Sequence, residues 1–337
     1  MQKDCLSEKS IQKLSSDQCA MASIIISNYN GEKHLHECLS SLMQLDYPLY
    51  EVIVVDAAST DNSIAIIERD FPEVRLIKKG KIGIGEAINY GISLAQGEFI
   101  VFDLNNDDIV DKKWLTHLVK VLANSPDTGV VCGKRFKYGS NNILDSAGGR
   151  ISCLTGYTPA IGEYELDSTM YNVQKEVDWV PVISTRRAIL EKVGLCDSSY
   201  YIYYEDVDFC LRAKIAGYKI VYVPTAIFWH KGSSTVGLHN YRSYYYLTRN
   251  RIRIILKTFS IRFMIPALIY SLILKNFLDL PIMVTPLRKL LTKFLPIFRG
   301  YPQQGKDLEL IRARKDAIIW NVKNLRNTVE ARYRTKH

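Results

Sequence analysis

Acidic residues are scarce at one end of this 337-residue chain: residues 240–337 hold five Asp and Glu against 20 Lys and Arg, a net of +15. Residues 1–239 run the other way, with 30 acids against 24 bases and a net of −6, so the overall +9 is the difference between an acidic body and a basic tail. Paired cysteines are missing as well. The seven cysteines, Cys5, Cys19, Cys38, Cys132, Cys153, Cys196 and Cys210, are odd in number, widely spaced and without a CxxC pair; this excludes a zinc ribbon and a disulfide framework and fits a reducing cytoplasm. The opening MQKDCLSEKSIQKLSSDQ has mixed charge and no apolar stretch, so a cleaved secretion signal is not expected and residues 1–21 read as a loose leader. Long hydrophobic runs are absent from the tail: within residues 259–298 the longest uncharged stretch, Phe263–Leu274, has 12 residues, short of the about 20 that cross a bilayer. With 47% apolar and 23% charged residues, the composition excludes wholesale disorder, collagen and a polytopic membrane protein.

From Ala22 onward the chain carries short apolar runs bounded by turn residues: SIIIS at 23–27, EVIVVD at 51–56, VRLIKK at 74–79 and EFIVFDL at 98–104. Runs of β-branched residues without alternation predict strands buried on both faces of a parallel sheet. Helical segments are predicted between them at 32–44, with Leu35, Cys38, Leu39, Leu42 and Met43 on one face, at 61–70 after the capping-type Ser59-Thr60-Asp61, at 85–95 and at 111–123. This alternation predicts an α/β fold with a doubly wound, mostly parallel sheet, in which ligands bind beyond the C-terminal strand ends.

Those ends carry Ser27-Asn28-Tyr29-Asn30, Asp56, and Asn105-Asn106-Asp107-Asp108. For Asp56, a turn-closing carboxylate in DAASTDN and a ligand contact weigh equally. The glycines of GKIGIG at 80–85 do not make a dinucleotide loop, since the third glycine is missing and the loop follows the third strand. A second acidic group, Glu205-Asp206-Val207-Asp208, opens a helix whose apolar face is read as Val207, Cys210, Leu211 and Ile215, with Gly217 as its C-terminal stop. Acids there offset the helix dipole with no catalytic role, but crowded like charges also raise a carboxylate's pKa and make it a better base. His230 follows the strand-like KIVYVPTAIF, and Trp179 in VDWVP suits either a sugar face or the core.

Seven segments in order, SIIISNYNGEKHLHECLSSL, YEVIVVDAASTDNS, FPEVRLIKKGKIGIGEAINYGISLAQGEFI, LNNDDIVDKKWL, VDWVPVISTRRAILEKVGLCD, YYEDVDFCLRAKIAGYKIVYVPTAIFWHKGSST and YYYLTRNRIRIILK, resemble the inverting family 2 glycosyltransferases of GT-A fold, nearest to their rhamnosyltransferase-like branch. The resemblance spans residues 22–257 and implies a catalytic domain at 22–240. It implies a divalent metal, Mg²⁺ or Mn²⁺, held by Asp107 and His230 with Asn105 assisting, and Asp206 as the base, with Glu205 and Asp208 positioning base or acceptor. It also implies donor contacts from Asn28, Tyr29, Asp56, Asn89, Asn105, Asn106, Asp178 and Trp179. The chain departs from the family pattern by one extra residue between Gly97 and Asn105, which brings Asp103 near the strand end as a substitute ligand or as the strand's terminator.

The implied reaction is sugar transfer from a nucleotide-sugar donor to a glycan or lipid-linked acceptor hydroxyl, in polysaccharide biosynthesis or protein glycosylation. A polyprenyl-phosphate glycosyl synthase is the enzyme alternative. A nucleic-acid-binding tail is disfavoured because apolar residues are threaded through the basic ones without a recognised motif. Residues 241–337 are expected to form a basic, apolar helical extension, membrane-associating or oligomerising. Arg262, Lys275, Arg288, Lys289, Lys293 and Arg299 lie among apolar residues interrupted by Asp279 and Pro281, as in an interfacial anchor at the cytoplasmic membrane face. Residues 306–334 place Ile311, Ile318, Ile319, Val322 and Leu325 on an apolar stripe.

Overall fold

The computed structural model describes residues 20–232, 240–274 and 307–336. The leader up to residue 19, and the anchor positions Lys275, Asp279, Pro281, Arg288, Lys289, Lys293 and Arg299, lie outside the described residues. The first half alternates as its apolar runs predict: β1 (Ala22–Asn28), α1 (Leu35–Leu42), β2 (Tyr50–Ala57), α2 (Ser63–Asp70), β3 (Arg75–Lys79), α3 (Ile84–Leu94), β4 (Phe99–Asn105), β5 (Asp108–Val110) and α4 (Trp114–Asn124). There follow β6 (Thr128–Lys137), β7 (Leu144–Ser146), β8 (Lys175–Glu176), β9 (Ile183–Arg186), α5 (Arg187–Val193), α6 (Glu205–Ile215) and β10 (Lys219–His230). The C-terminal helices are α7 (Tyr241–Thr258), α8 (Ile261–Ile269), α9 (Asp307–Lys323) and α10 (Leu325–Lys336).

The ten strands among the described residues form one sheet in the order β3-β2-β1-β4-β9-β6-β10-β5, with β7 on β6 and β8 on β10. The pairs β3–β2, β2–β1, β1–β4 and β6–β10 are parallel, whereas β9 enters antiparallel between β4 and β6. Sequence order reverses between β1 and β4, so the connections that leave their paired C-terminal ends run to opposite faces of the sheet and open a crevice there. Ile24, Ile25 and Ile26 of β1 and Val52, Ile53, Val54 and Val55 of β2 are buried, as sheet residues covered by helices on both faces must be.

Two bulges bend this frame. In β4, Val101 pairs Ile24 and Leu104 pairs Ile26, so Phe102 and Asp103 oppose one residue of β1. The extra residue in the sequence is thus absorbed as a bulge with Asp103 at φ +66°, and the strand continues to Asn105. In β10, Val223 pairs Gly133 while Ile227 pairs Lys134, leaving Pro224, Thr225 and Ala226 looped out, which suits a proline with no N–H to offer the ladder.

Three local expectations are corrected. Helix α2 is capped at Asn62, not by Ser59-Thr60-Asp61 as a unit: Asp61 Oδ1 accepts the Ser63 N–H at 3.0 Å, and Ser59 serves the preceding turn. The buried face of α6 is polar as well as apolar. Glu205, Asp208 and Arg212 are buried with Val207, Phe209, Cys210 and Ala213, while Ile215 is 41% exposed; Asp208 is neutralised by Arg212 and by Lys257 of α7. The helix stops as expected at Gly217, φ +89°, where Gly217 N–H donates to Lys214 O and Tyr218 N–H to Ala213 O. The apolar stripe of the last helices faces outward: Ile311, Ile319, Val322 and Leu325 are exposed, and Ala313, Arg314, Ala317, Asn321 and Thr328 are buried.

The basic tail is also less solvated than its composition suggests. Helix α7 buries Arg249, Arg251, Arg253 and Lys257; Arg253 and Lys257 meet Asp197 at 2.9 and 2.8 Å, and Lys257 meets Asp208 at 2.7 Å. Part of the charge asymmetry is therefore internal pairing between tail and body. Gly133 tests the β10 bulge, since a Cβ there would lie 1.9 Å from the Ala226 carbonyl oxygen. Gly133→Ala is expected to cost about 3 kcal/mol by urea denaturation, while Gly80→Ala, with open space around it, serves as the unperturbed control. Equal midpoints for the two variants would contradict the close approach.

Candidate active site

The ends of β1, β2 and β4 are tied together by side-chain amides. Asn28 Nδ2 donates to Asp56 Oδ2 at 2.8 Å, and Asn106 Nδ2 donates to Asn28 Oδ1 at 2.7 Å. Asp56 also accepts the Ser59 N–H at 2.9 Å and the Ser59 hydroxyl at 2.6 Å, so the turn-closing reading of this carboxylate is realised. Asn28 and Asp56 are each 1% exposed, and Asn28, Asp56 and Asn106 engage one another. Tyr29, beside them, is exposed at the rim.

Beyond β4 the chain turns into β5, and that turn meets the end of β10, where His230 pairs with Asp108 in the ladder. Asp107, Asp108 and His230 each offer a ligand atom, all within 4.8 Å of one another. His230 Nε2 lies 3.5 Å from Asp107 Oδ1, while Nδ1 lies 3.1 Å from Asp145 Oδ2. A carboxylate on one ring nitrogen fixes the imidazole's direction and leaves the other nitrogen for a ligand. Although burial works against it, that contact and the charge of Arg135 hold Asp145 well below the usual carboxylate range. Asp108 is fully buried, with one oxygen on Arg135 Nη2 at 2.9 Å and the other accepting the Asn105 N–H at 2.9 Å, so each oxygen keeps a lone pair that a metal could use. Two carboxylates and an imidazole form a donor set that suits Mg²⁺ or Mn²⁺.

A second group forms where the β4 bulge meets the start of α6. Asp103, Glu205 and Asp206 act on one another electrostatically: burial pushes Asp103 and Glu205 well up, and their mutual charges add to it. Burial also pushes Asp206 up to about 6. Asp206 alone of the three keeps partial solvent exposure, whereas Asp103 and Glu205 are buried. The helix start that presents them is irregular, with Tyr203 at φ +66° and Tyr204 at φ +74°.

Three expected donor contacts have partners or packing within the protein. Asn89 exchanges hydrogen bonds with the backbone of Cys196, donating to its carbonyl at 2.8 Å and accepting its N–H at 3.0 Å, which ties α3 to the 194–197 loop. Asp178 accepts from Lys214 at 2.6 Å and from the Ile151 N–H at 3.0 Å. Trp179 packs partly buried against the sheet core beside Gly149, its indole N–H without a partner among the described residues. The sequence reading missed Arg135 and Asp145. Neither lies in a motif, and their sole signal is a basic KRFK run and a carboxylate in a loop that pairs only through tertiary contact.

A stability prediction follows from Asp103. Its carboxyl titrates above the unfolded value of about 3.9, so the folded state holds the extra proton and loses stability as pH rises above that value. Asp103→Asn, which keeps a side chain tolerant of positive φ, is expected to raise the melting temperature at pH 8 in EDTA, with the gain vanishing toward pH 4. An equal gain at both pH values would rule out the ionised carboxylate as its source.

Comparison with known proteins adds three findings. The sequence model of the family described as Glycosyl transferase family 2 matches residues 23–194. Poly-beta-1,6-N-acetyl-D-glucosamine synthases are similar: that of Staphylococcus epidermidis is 26% identical over 221 residues, 64% of this chain and 51% of that protein, and that of Staphylococcus aureus strain COL is 25% identical over 226 residues, 66% and 52%. The chain thus spans about half the length of these curated relatives. Among solved structures, the mannosyltransferase PcManGT of Pyrobaculum calidifontis, in complex with GDP-Man and Mn²⁺, aligns with a TM-score of 0.54 at 18% identity, covering 89% of this chain and 86% of that one. TarS 1-349 of S. aureus, in complex with UDP-GlcNAc, aligns at 0.53 and 20% identity, covering 88% and 80%.

Proposed function

The chain belongs to glycosyltransferase family 2, and on that premise we propose that it transfers a sugar, with inversion, from a nucleoside diphosphate sugar to an acceptor hydroxyl. The observation that carries the reading is Asp206: a carboxylate pushed up to about 6, partly open to solvent, at the start of α6 beside Asp103 of the β4 bulge. As the acceptor oxygen attacks the anomeric carbon from the face opposite the diphosphate, Asp206 takes the hydroxyl proton. The C–O bond to the diphosphate breaks with its electron pair leaving on that group. Burial keeps the base from being too weak by disfavouring its ionised form, and the charge of Asp206 in turn raises Asp103 and Glu205. Asp107, Asp108 and His230 would hold Mg²⁺ or Mn²⁺, which supplies charge stabilisation for the departing diphosphate. The mannosyltransferase relative with Mn²⁺ and the UDP-GlcNAc complex of TarS support that donor class.

Asp206→Asn is expected to bind donor as the wild type does and to lose at least about 100-fold in kcat, and wild-type kcat/KM should fall below a pH of about 6 as the base takes a proton. The probes are UDP-GlcNAc and GDP-mannose with Mn²⁺. A polyprenyl-phosphate acceptor is already ionised and needs no base, so an Asp206→Asn enzyme active on undecaprenyl phosphate would favour the synthase alternative.

An anionic membrane surface is the second part of the proposal. No helix among the described residues is long and apolar enough to cross a membrane. Ile261, Ile265 and Ile269 of α8 and Ile273 beyond it are exposed at four-residue spacing, while Ala267, Tyr270 and Ser271 face inward. An apolar stripe beside Arg262 suits the headgroup boundary, on the cytoplasmic face that the composition suggests. Wild-type protein should sediment with phosphatidylglycerol vesicles and Ile265→Glu/Ile269→Glu should not. Retained binding by the double variant would exclude this stripe.

A further inference from the structure

Two consecutive residues with left-handed backbone stand directly before the acids of α6. Tyr203 has φ +66° and Tyr204 φ +74°, and a side chain with a Cβ in that region costs roughly 1–2 kcal/mol per residue. Such a turn persists only where its surroundings over-determine it. Asn250 of α7, fully buried, does so: Nδ2 donates to the carbonyl oxygens of Ile202 and Tyr203, each at 2.7 Å. Two carbonyl acceptors fix the amide's orientation, because only its nitrogen can donate to both. At the other end Asn250 Oδ1 accepts from Arg249 Nε at 2.8 Å, and Arg249 Nη2 donates to the Ser199 carbonyl at 2.6 Å. Arg249 is held in turn by the rings of Tyr246 and Trp320, whose centroids lie 4.6 and 4.4 Å from its guanidinium.

We infer that Asn250 is a positioning residue for glycosyl transfer: by locking the 202–204 turn in its left-handed form, it sets the direction in which α6 presents Asp206. Its amide is engaged by backbone and by Arg249, so it acts through the turn. The carboxylate of Asp206 accepts the Val207 N–H at 2.7 Å, a local bond that moves with the helix start. The inference rests on the reading of Asp206 as the base. It also gives the C-terminal helices a part in the chemistry, since Trp320 of α9 steadies Arg249.

The test measures release of nucleoside diphosphate from UDP-GlcNAc and GDP-mannose with Mn²⁺, water serving as acceptor, together with donor KM and melting temperature. Asn250→Ala is expected to lower kcat at least about tenfold with donor KM changed less than about twofold, a loss confined to the transition state. Tyr203→Gly removes the Cβ penalty at positive φ. In the Asn250→Ala background it is expected to restore kcat at least about fivefold, with no gain in the wild type. If Asn250→Ala does not fold, the double variant carries the same test through its melting temperature and kcat. Wild-type kcat in a folded Asn250→Ala, or no recovery in the double variant, overturns the clamp. Failure of the underlying reading looks different: the wild type then releases no diphosphate from any nucleoside diphosphate sugar, which removes the base and the clamp together.

Discussion

Three carboxylates crowded at the start of one helix and drawn away from water are the constraint on which the rest of the structure depends. Burial pushes Asp103, Glu205 and Asp206 in the same direction, toward the protonated form, and the charge of Asp206 adds to the push on Asp103 and Glu205. Such a cluster is tolerable only where cations nearby offset its charge without pairing each acid directly. Arg135 does this from β6, acting on Asp103 and Asp206 through the field while bonding Asp108. From the other side Lys257 and Arg253 anchor Asp208 and Asp197, so the acids flanking the cluster are paired while those inside it have no ion pair among the described residues.

Irregular backbone delivers each reactive group. The β4 bulge turns Asp103 toward α6, the looped-out Pro224-Thr225-Ala226 re-aims the end of β10 that carries His230, and the left-handed Tyr203-Tyr204 sets the start of the helix bearing Asp206. Regular strands and helices fix where their side chains point by period alone, so a site converging from three elements needs such departures. Each departure is braced from outside its own element: Gly133 gives β10 room to approach, and Asn250 holds the turn before α6.

Much of this was legible in the chain itself. Unbroken β-branched runs specified β1, β2 and β4 as buried parallel strands, and the helices between them followed from spacing. The acids of α6 were placed in its first turn and Gly217 at its end. Asp107 and His230, named through the family resemblance, do come together in space. The extra residue before Asn105 was visible as well; it suggested Asp103 as a substitute ligand or as the strand's terminator, whereas Ile24 and Ile26 pair across a bulge and the strand runs on to Asn105.

What the sequence could not settle is where polar atoms find their partners. For Asp56 a turn-closing role and a ligand contact weighed equally, and in the fold it bonds Asn28 because β1 and β2 end side by side. Asp178 and Asn89 lie within the family likeness but are engaged by Lys214 and by the Cys196 backbone. The inward face of α6 mixes acids with the expected Val207 and Cys210, and the stripe of α9 and α10 faces outward, since α7 offers buried cations to both. Local pattern determined the elements and the chemistry they carry, because periodicity and residue type act over a few positions. Which carboxylate is braced, which is paired and which is left to take a proton was decided by tertiary structure alone, because electrostatic environment is set by neighbours that are distant in the chain.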